Sequence, residues 1–140
     1  MGGDIKFKKQ NLFPYLEEYS KRFPITSETI FVFNNTIFSS KNETDWLEYY
    51  DILYHEIEHI KSQNEIGGEK WINLFLNDKD FRLEEEKRAY TVQLQKVKEM
   101  GDREEYMNIF TEVCQNISSP LYGSMISYRN AEKYFKAKII

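Results

Sequence analysis

Both histidines of the 140-residue chain stand in one short string, His55-Glu56-Ile57-Glu58-His59. Residues four positions apart on a helix lie one above the other on the same face, so a helical string would direct both imidazoles to a single point. Two converging imidazoles are ligands for a metal ion, and Glu56, one step round the helix, would face the remaining coordination space. The string therefore predicts a helix that carries a metal site.

Zinc is the ion that this pattern favours. Two imidazoles and one carboxylate satisfy zinc and leave its fourth position to water, whose pKa then falls to about 7. Glu56 is placed to accept the proton of that water. The alternative interpretation is that His55 and His59 are two surface histidines on a charged helix and bind no metal.

The predicted metal-binding helix covers residues 44–65, with Thr44 or Asp45 at its start and Gly67-Gly68 beyond its end. Apolar residues recur along it at helical spacing: Trp46, Tyr50, Leu53, Ile57 and Ile60. At about 100° per residue, the histidines fall roughly 120–160° from the centre of this stripe. The pattern thus predicts one face that packs into the core and an opposite face that is free to hold metal.

A carboxylate must complete the ligand set, because the chain has no third histidine. The extended HExxHxxGxxH pattern is excluded, since Ser62 and Glu65 stand where it requires Gly and His. The nearest downstream candidates on a predicted helix at residues 80–100 are Glu84, Glu85 and Glu86.

Helical periodicity separates these three glutamates. A buried stripe is marked by Leu83, Tyr90, Leu94 and Val97. Glu86 falls within about 60° of this stripe, whereas Glu84 and Glu85 fall outside it. A buried carboxylate is costly unless it is paired or binds metal, so Glu86 is the expected third ligand, with a structural salt bridge as the alternative. Asp78 or Asp80 are weaker substitutes, and Glu84 is expected to pair with Arg88.

The string at residues 55–59, followed by Glu86 and then Ala89-Tyr90, resembles the gluzincin branch of zinc metallopeptidases. It is most similar to the small single-domain gluzincins, which include phage and bacterial proteins of this size. The resemblance covers about residues 50–95. One position differs: the family's usual aspartate after the alanine, which orients a ligand histidine, is Tyr90 here. The partner of that histidine is therefore either supplied from elsewhere or weakened.

The resemblance implies a site and a substrate. Zinc would be bound by His55, His59 and Glu86, and Glu56 would act as general base. The substrate would be a peptide or an unfolded protein segment that lies antiparallel to an edge strand within residues 30–38. A second class of function remains open, namely a catalytically weak zinc-binding scaffold or regulatory protein that keeps the fold. The presence of Glu56 favours the enzyme.

Peptide hydrolysis also needs a hydrogen-bond donor for the oxyanion, and both histidines are committed to the metal. A tyrosine or arginine must therefore serve. Of the ten tyrosines, Tyr122 is the best candidate, because Leu121-Tyr122-Gly123 interrupts a helical region and the glycine permits a close backbone approach. The alternative is that Tyr122 only packs.

The fold class predicted for residues 1–140 is a single α+β domain, mainly helical and zincin-like. Its active-site helix would pack against a small antiparallel hairpin or sheet and against the helix that carries the third ligand. Two-residue alternation predicts the hairpin at residues 29–39, turning at Asn34-Asn35. Further helices are predicted at residues 13–23 and 69–77, after Asp102, and after Ser127.

Composition limits the partners and the location. The net charge of −4 argues against nucleic acid, and no apolar run approaches the ~20 residues of a membrane span. The N-terminus has no secretory signal, so a cytoplasmic location is expected. Cys114 is the only cysteine, which excludes an internal disulfide, and it is expected to be a small apolar residue on a helix rather than a reactive or metal-binding one. The oligomeric state is left open.

Overall fold

The computed structural model describes residues 4–139, which are mainly helical with a small three-stranded sheet. The strands are β1 (Lys6–Lys9), β2 (Phe31–Phe33) and β3 (Thr36–Ser39), in the order β1-β3-β2. The hairpin of β2 and β3 is confirmed. The strand β1 pairs in parallel with β3, so the sheet is mixed rather than antiparallel throughout. The reason is that residues 10–30 carry the chain from β1 to the opposite edge of the sheet, where β2 begins. The hairpin then returns as β3 between the two strands, in the same direction as β1.

The hairpin turn has the conformation that its sequence predicts. Asn34 and Asn35 have φ angles of 52° and 59°, and asparagine tolerates this left-handed region better than most residues. The turn fixes the register, in which Val32 lies opposite Ile37. It places β2 at one edge of the sheet, where the strand contacts α2.

The described chain contains six α-helices, of which the first lies between β1 and β2 and the others follow β3. They are α1 (Leu16–Ser20), α2 (Tyr50–Ile66), α3 (Gly68–Asn77), α4 (Lys79–Glu99), α5 (Arg103–Ile117) and α6 (Tyr128–Lys138). The predicted caps of α5 and α6 are confirmed, because Asp102 accepts from the Glu105 N–H and Ser127 from the Asn130 N–H. The helix predicted at residues 13–23 is reduced to α1 and flanking turns. None of the helices in residues 4–139 has both the length and the apolar character needed to cross a bilayer.

The helix predicted to start at Thr44 or Asp45 is divided in two. A 3-10 turn occupies Glu43–Leu47, and Asn42 caps it while its own N–H donates to Asp45 Oδ2 at 2.9 Å. The α-helix then begins at Tyr50. It ends as predicted at Gly67, whose φ of 95° suits glycine.

The histidine face of α2 is buried, so the alternative of two surface histidines at positions 55 and 59 is wrong. The helix lies between the sheet and α4, so it has two packed sides. Its apolar side meets the sheet through Ile60, which clusters with Val32, Ile37 and Trp46. Periodicity detects only that side, because the buried residues on the side that faces α4 are polar.

A second apolar cluster joins α4 to α5 and α6. Its fully buried members include Leu94, Cys114, Ile117 and Phe135. Cys114 is the buried apolar residue that the sequence predicts, and burial raises the pKa of its thiol to about 11. This cluster holds the C-terminal half of α4 and so fixes the position of the glutamates at its N-terminal half.

Candidate metal centre

Side chains from two packed helices meet in one buried cluster. Glu86 of α4 places Oε1 at 2.7 Å from His59 Nε2 and Oε2 at 3.5 Å from His55 Nε2. Glu86 is 2% exposed, so its predicted position on the packed stripe of α4 is confirmed. Ala89, three residues further on, is fully buried and leaves room for α4 to lie close to α2.

Glu85 is the residue that sequence reasoning missed. It was predicted to lie outside the packed stripe, but it is 6% exposed, because α3 covers this flank of α4 and periodicity within α4 alone cannot show that. Its carboxylate accepts hydrogen bonds from Trp71 Nε1 at 2.8 Å and from Ser62 Oγ at 3.0 Å. Its Oε1 also lies 3.5 Å from His59 Nδ1.

The contact between Glu85 and His59 has a chemical consequence. A carboxylate on the second ring nitrogen fixes the tautomer and the orientation of a histidine whose other nitrogen binds metal. Glu85 is therefore in the position to do for His59 what the missing aspartate at position 90 does for a ligand histidine in gluzincins. Tyr90 instead places its ring against His55, with ring centroids 4.3 Å apart.

The ion pairs around Glu85 also differ from the prediction. Glu84 pairs with Lys87, three residues on, at 3.3 Å rather than with Arg88. Arg88 pairs with Glu85 at 3.1 Å. Arg88 pairs with the buried carboxylate of Glu85 because the Glu84 side chain is exposed to solvent and gains little from an ion pair.

Two buried polar atoms in the cluster have no hydrogen-bond partner among residues 4–139. They are Glu86 Oε2 and His55 Nδ1. A buried carboxylate oxygen without a donor is costly and calls for a positive charge beside it. Two imidazole nitrogens and one carboxylate also form the donor set of catalytic zinc sites. By both tests, the residues present fit a zinc ion.

The electrostatics of the metal-free cluster favour an ion pair. Burial lowers the pKa of His59, but the charge of Glu86 and hydrogen bonds to Glu85 and Glu86 outweigh burial and raise it to about 10. Burial raises the pKa of Glu86, and the charges of His59 and His55 reverse this and hold it far below its usual range. A cation and a carboxylate are thus already stable in this position.

Glu56 also belongs to the cluster, because it forms with the two histidines a group that could itself hold a metal ion. Nitrogen atoms of His55 and His59 and a carboxylate oxygen of Glu56 all lie within 4.8 Å of one another. Burial raises the pKa of Glu56, and the neighbouring histidine charges only partly oppose this rise. A carboxylate with a raised pKa is a better proton acceptor, as a general base requires.

A cavity of about 310 Å³ opens beside the cluster. The side chains of His55, Glu56 and Glu86 all line it, and so does the edge strand β2. The strand is tied to the histidine helix, because Gln63 Nε2 of α2 donates to the Val32 carbonyl at 2.7 Å. The edge strand and the candidate ligands thus share one wall of the cavity.

Three tyrosines line the same cavity: Tyr19, Tyr90 and Tyr122. Tyr122 lines it, and the hydroxyl of Tyr90 donates to the Tyr122 hydroxyl at 3.4 Å, which leaves the proton of Tyr122 free for another acceptor. Tyr19 of α1 also lines the cavity, and burial together with the charges of Tyr122 and Glu86 raises its pKa. Sequence reasoning did not single out Tyr19, since nothing in its neighbourhood marks it among ten tyrosines.

Arg82 holds the loop that carries Tyr122. Its Nε donates to the Tyr122 carbonyl at 3.3 Å, and its guanidinium lies over the Phe23 ring. Gly123 has a φ of 84°, and a Cβ there would lie 3.1 Å from Arg82 Nη2. The glycine therefore permits the close approach that the sequence predicts at this position.

Comparison with models of known families, with curated proteins and with solved structures gives no match. The resemblance to gluzincins therefore rests on residues 55–59 together with Glu86 and Ala89.

Proposed function

We propose that the protein is a zinc-dependent metallopeptidase of the gluzincin type, with a zincin-like fold, that hydrolyses peptides or unfolded protein segments. One observation carries the proposal: His55, His59 and Glu86 meet in a buried cluster that opens onto a cavity, with Glu56 beside them. When bound, zinc would supply a Lewis acid that activates water and polarises a peptide carbonyl. The three ligands would hold it between α2 and α4.

The remaining steps belong to side chains of the chain itself. Glu56 would accept a proton from the attacking water and return it to the leaving amine. Tyr122 would donate a hydrogen bond to the oxyanion, since its hydroxyl accepts from Tyr90 and keeps its own proton available. The edge strand β2 would align an extended substrate along the cavity, beside the Val32 carbonyl that Gln63 already occupies.

The first experiment measures the metal. Purified protein is expected to carry about one zinc per chain, and Glu86→Gln should weaken zinc binding far more than Glu84→Gln does. Glu84 is the matched control, because it is an exposed glutamate of the same helix. Equal losses of affinity in the two variants would remove Glu86 from the ligand set, and absence of any zinc binding would end the proposal.

The second experiment measures hydrolysis of a broad peptide library by the zinc-loaded protein. Glu56→Gln should keep the fold and the metal but lose nearly all turnover, because a general base contributes to the rate and little to metal affinity. If the wild-type protein binds zinc and cleaves no peptide, the proposal of peptidase activity should be abandoned.

The alternative, a catalytically weak zinc-binding scaffold, has one observation in its favour. His55 Nδ1 has no hydrogen-bond partner in residues 4–139, so only one of the two histidines is oriented by a carboxylate. In that case wild type and Glu56→Gln would bind a partner equally well, and neither would cleave it.

A further inference from the structure

One tyrosine hydroxyl on the cavity wall is unused by the fold. Tyr19 of α1 lines the same cavity as Glu56 and Glu86. Among residues 4–139, no group forms a hydrogen bond with its hydroxyl. The hydroxyl is also not one of the enclosed side-chain atoms of this part of the chain that lack a partner, so it faces open space. Tyr19 therefore offers the cavity a hydrogen-bond donor.

Aromatic contacts fix the ring of Tyr19. It lies edge-on to the Phe31 ring of β2, with centroids 4.8 Å apart, and 5.2 Å from the Phe23 ring. The Phe75 ring of α3 stacks against it at 6.4 Å and lies 6.2 Å from the His59 ring, so these contacts join Tyr19 to the metal cluster. A side chain held by three rings loses little further entropy when its hydroxyl binds a ligand, as a preorganised donor requires.

The Tyr19 hydroxyl keeps its proton and lies close to the Tyr122 hydroxyl. Burial raises the pKa of Tyr19 well above its ordinary value. Of the titratable groups around it, Tyr122 has the largest effect and Glu86 the next, and both raise the pKa further. Within the described chain the two hydroxyls are not bonded to each other, since the partner of Tyr122 is Tyr90. Two donors are thus directed at one region of the cavity, beside Glu86.

A buried cation lies next to the two tyrosines. Arg82 is 7% exposed and forms no ion pair with any residue from 4 to 139. Its guanidinium donates to two backbone carbonyls, those of Phe75 at 2.7 Å and of Tyr122 at 3.3 Å. Burial lowers the pKa of Arg82, and Tyr19 is the neighbour that most opposes this. A buried positive charge without a carboxylate is costly, and a negative charge formed at the two tyrosine hydroxyls would offset that cost.

We propose that Tyr19 is a second catalytic donor, which together with Tyr122 binds the oxyanion of the peptidase reaction. The inference rests on the proposed function, and it adds a residue from outside residues 50–95, the part that resembles gluzincins. As the water oxygen bonds to the carbonyl carbon, the π electrons of the C=O bond move onto the carbonyl oxygen. Tyr19 keeps its own proton and donates a hydrogen bond to that oxygen. The C–N bond then breaks, and Glu56 returns the proton of the water to the amine.

The test compares a peptide that wild type cleaves with a phosphinic peptide of the same sequence, whose tetrahedral group replaces the scissile amide and carries the charge of the oxyanion. Binding is measured on zinc-loaded Glu56→Gln protein, which does not turn the peptide over. Adding Tyr19→Phe should weaken the phosphinic peptide about 10–100-fold, the effect of one lost hydrogen bond to a charged group. The cleavable peptide should lose less than about threefold, because its carbonyl oxygen is uncharged.

Turnover and stability separate catalysis from packing. With Glu56 intact, Tyr19→Phe should lower kcat about 10²-fold and leave KM nearly unchanged. The Tm should stay within about 2 °C of the wild-type value, because the hydroxyl has no partner in the fold. Tyr15→Phe is the matched control, since its ring packs at 5.1 Å on Phe33 of the same strand but does not line the cavity. It should change neither the affinities nor kcat.

Three outcomes would overturn the role given to Tyr19. They are an unchanged affinity for the phosphinic peptide in Tyr19→Phe, an equal loss for both ligands, and a loss in Tyr15→Phe as large as that in Tyr19→Phe. An equal loss together with a lower Tm would make Tyr19 a structural residue. In each case wild type still cleaves its peptide, whereas failure of the peptidase proposal means that no peptide of the library is cleaved.

Discussion

Replacing Glu85 by alanine should cost both stability and metal affinity. The change leaves the Trp71 indole N–H and the Ser62 hydroxyl without their buried acceptor. The loss destabilises the fold by about 1–3 kcal/mol at the indole and by about 1 kcal/mol at the hydroxyl, because the hydroxyl can rotate to another partner. Arg88 adds less than about 1 kcal/mol, because its side chain is 46% exposed. The free energy of unfolding should therefore fall by about 3 kcal/mol, and the Tm by about 6–12 °C.

The same variant should bind zinc about 10–100-fold more weakly, since the carboxylate beside His59 Nδ1 is lost. Urea denaturation of metal-free protein measures the fall in the free energy of unfolding, and competition with a chelator measures the fall in zinc affinity. Glu84→Ala is the control, because the Glu84 side chain is 72% exposed and its one ion pair among residues 4–139 is with Lys87. The free energy of unfolding of this variant should change by less than about 0.5 kcal/mol. Equal changes in the two variants would refute the role given to Glu85.

Three further predictions concern turnover, backbone conformation and pH. Tyr122→Phe should lower kcat about 10²-fold with zinc retained, and unchanged steady-state turnover would make it a packing residue. Gly123→Ala should lower the free energy of unfolding by about 1–3 kcal/mol, because of the φ of 84° and the approach of Arg82; a wild-type Tm would contradict this. In metal-free protein, the raised pKa of His59 gives stability that is complete below pH 6.5 and is lost as pH rises through about 10. Urea denaturation across that range should show the decline, and a flat profile would argue against the ion pair with Glu86.

Local chemistry explains the parts of the fold that the sequence could predict. The turn at Asn34-Asn35 and the caps at Asp102 and Ser127 depend on a few neighbouring residues, and the structure has each of them. Glu86 could be placed on a packed face for a similar reason, because the few apolar residues of the helix that carries it recur at helical spacing.

Contacts between distant elements explain the parts that could not be predicted. The burial of Glu85 depends on Trp71 of α3, and nothing in the sequence of α4 records that α3 covers it. The burial of the histidine face could not be predicted from α2 alone, because a polar packed face and an exposed face have the same periodicity. The parallel pairing of β1 depends on the path of residues 10–30, which local propensity does not fix.

The position of Trp71 gives the candidate site an optical reporter of its own. Its indole donates to the carboxylate beside His59, and the two rings lie 5.4 Å apart, close enough for an imidazolium or a metal ion to alter the emission of the indole. The other tryptophan, Trp46, lies in the apolar cluster at the sheet and serves as an internal reference. Fluorescence of the unlabelled protein, with Trp71→Phe as the blank, can therefore follow events at His59 during a titration.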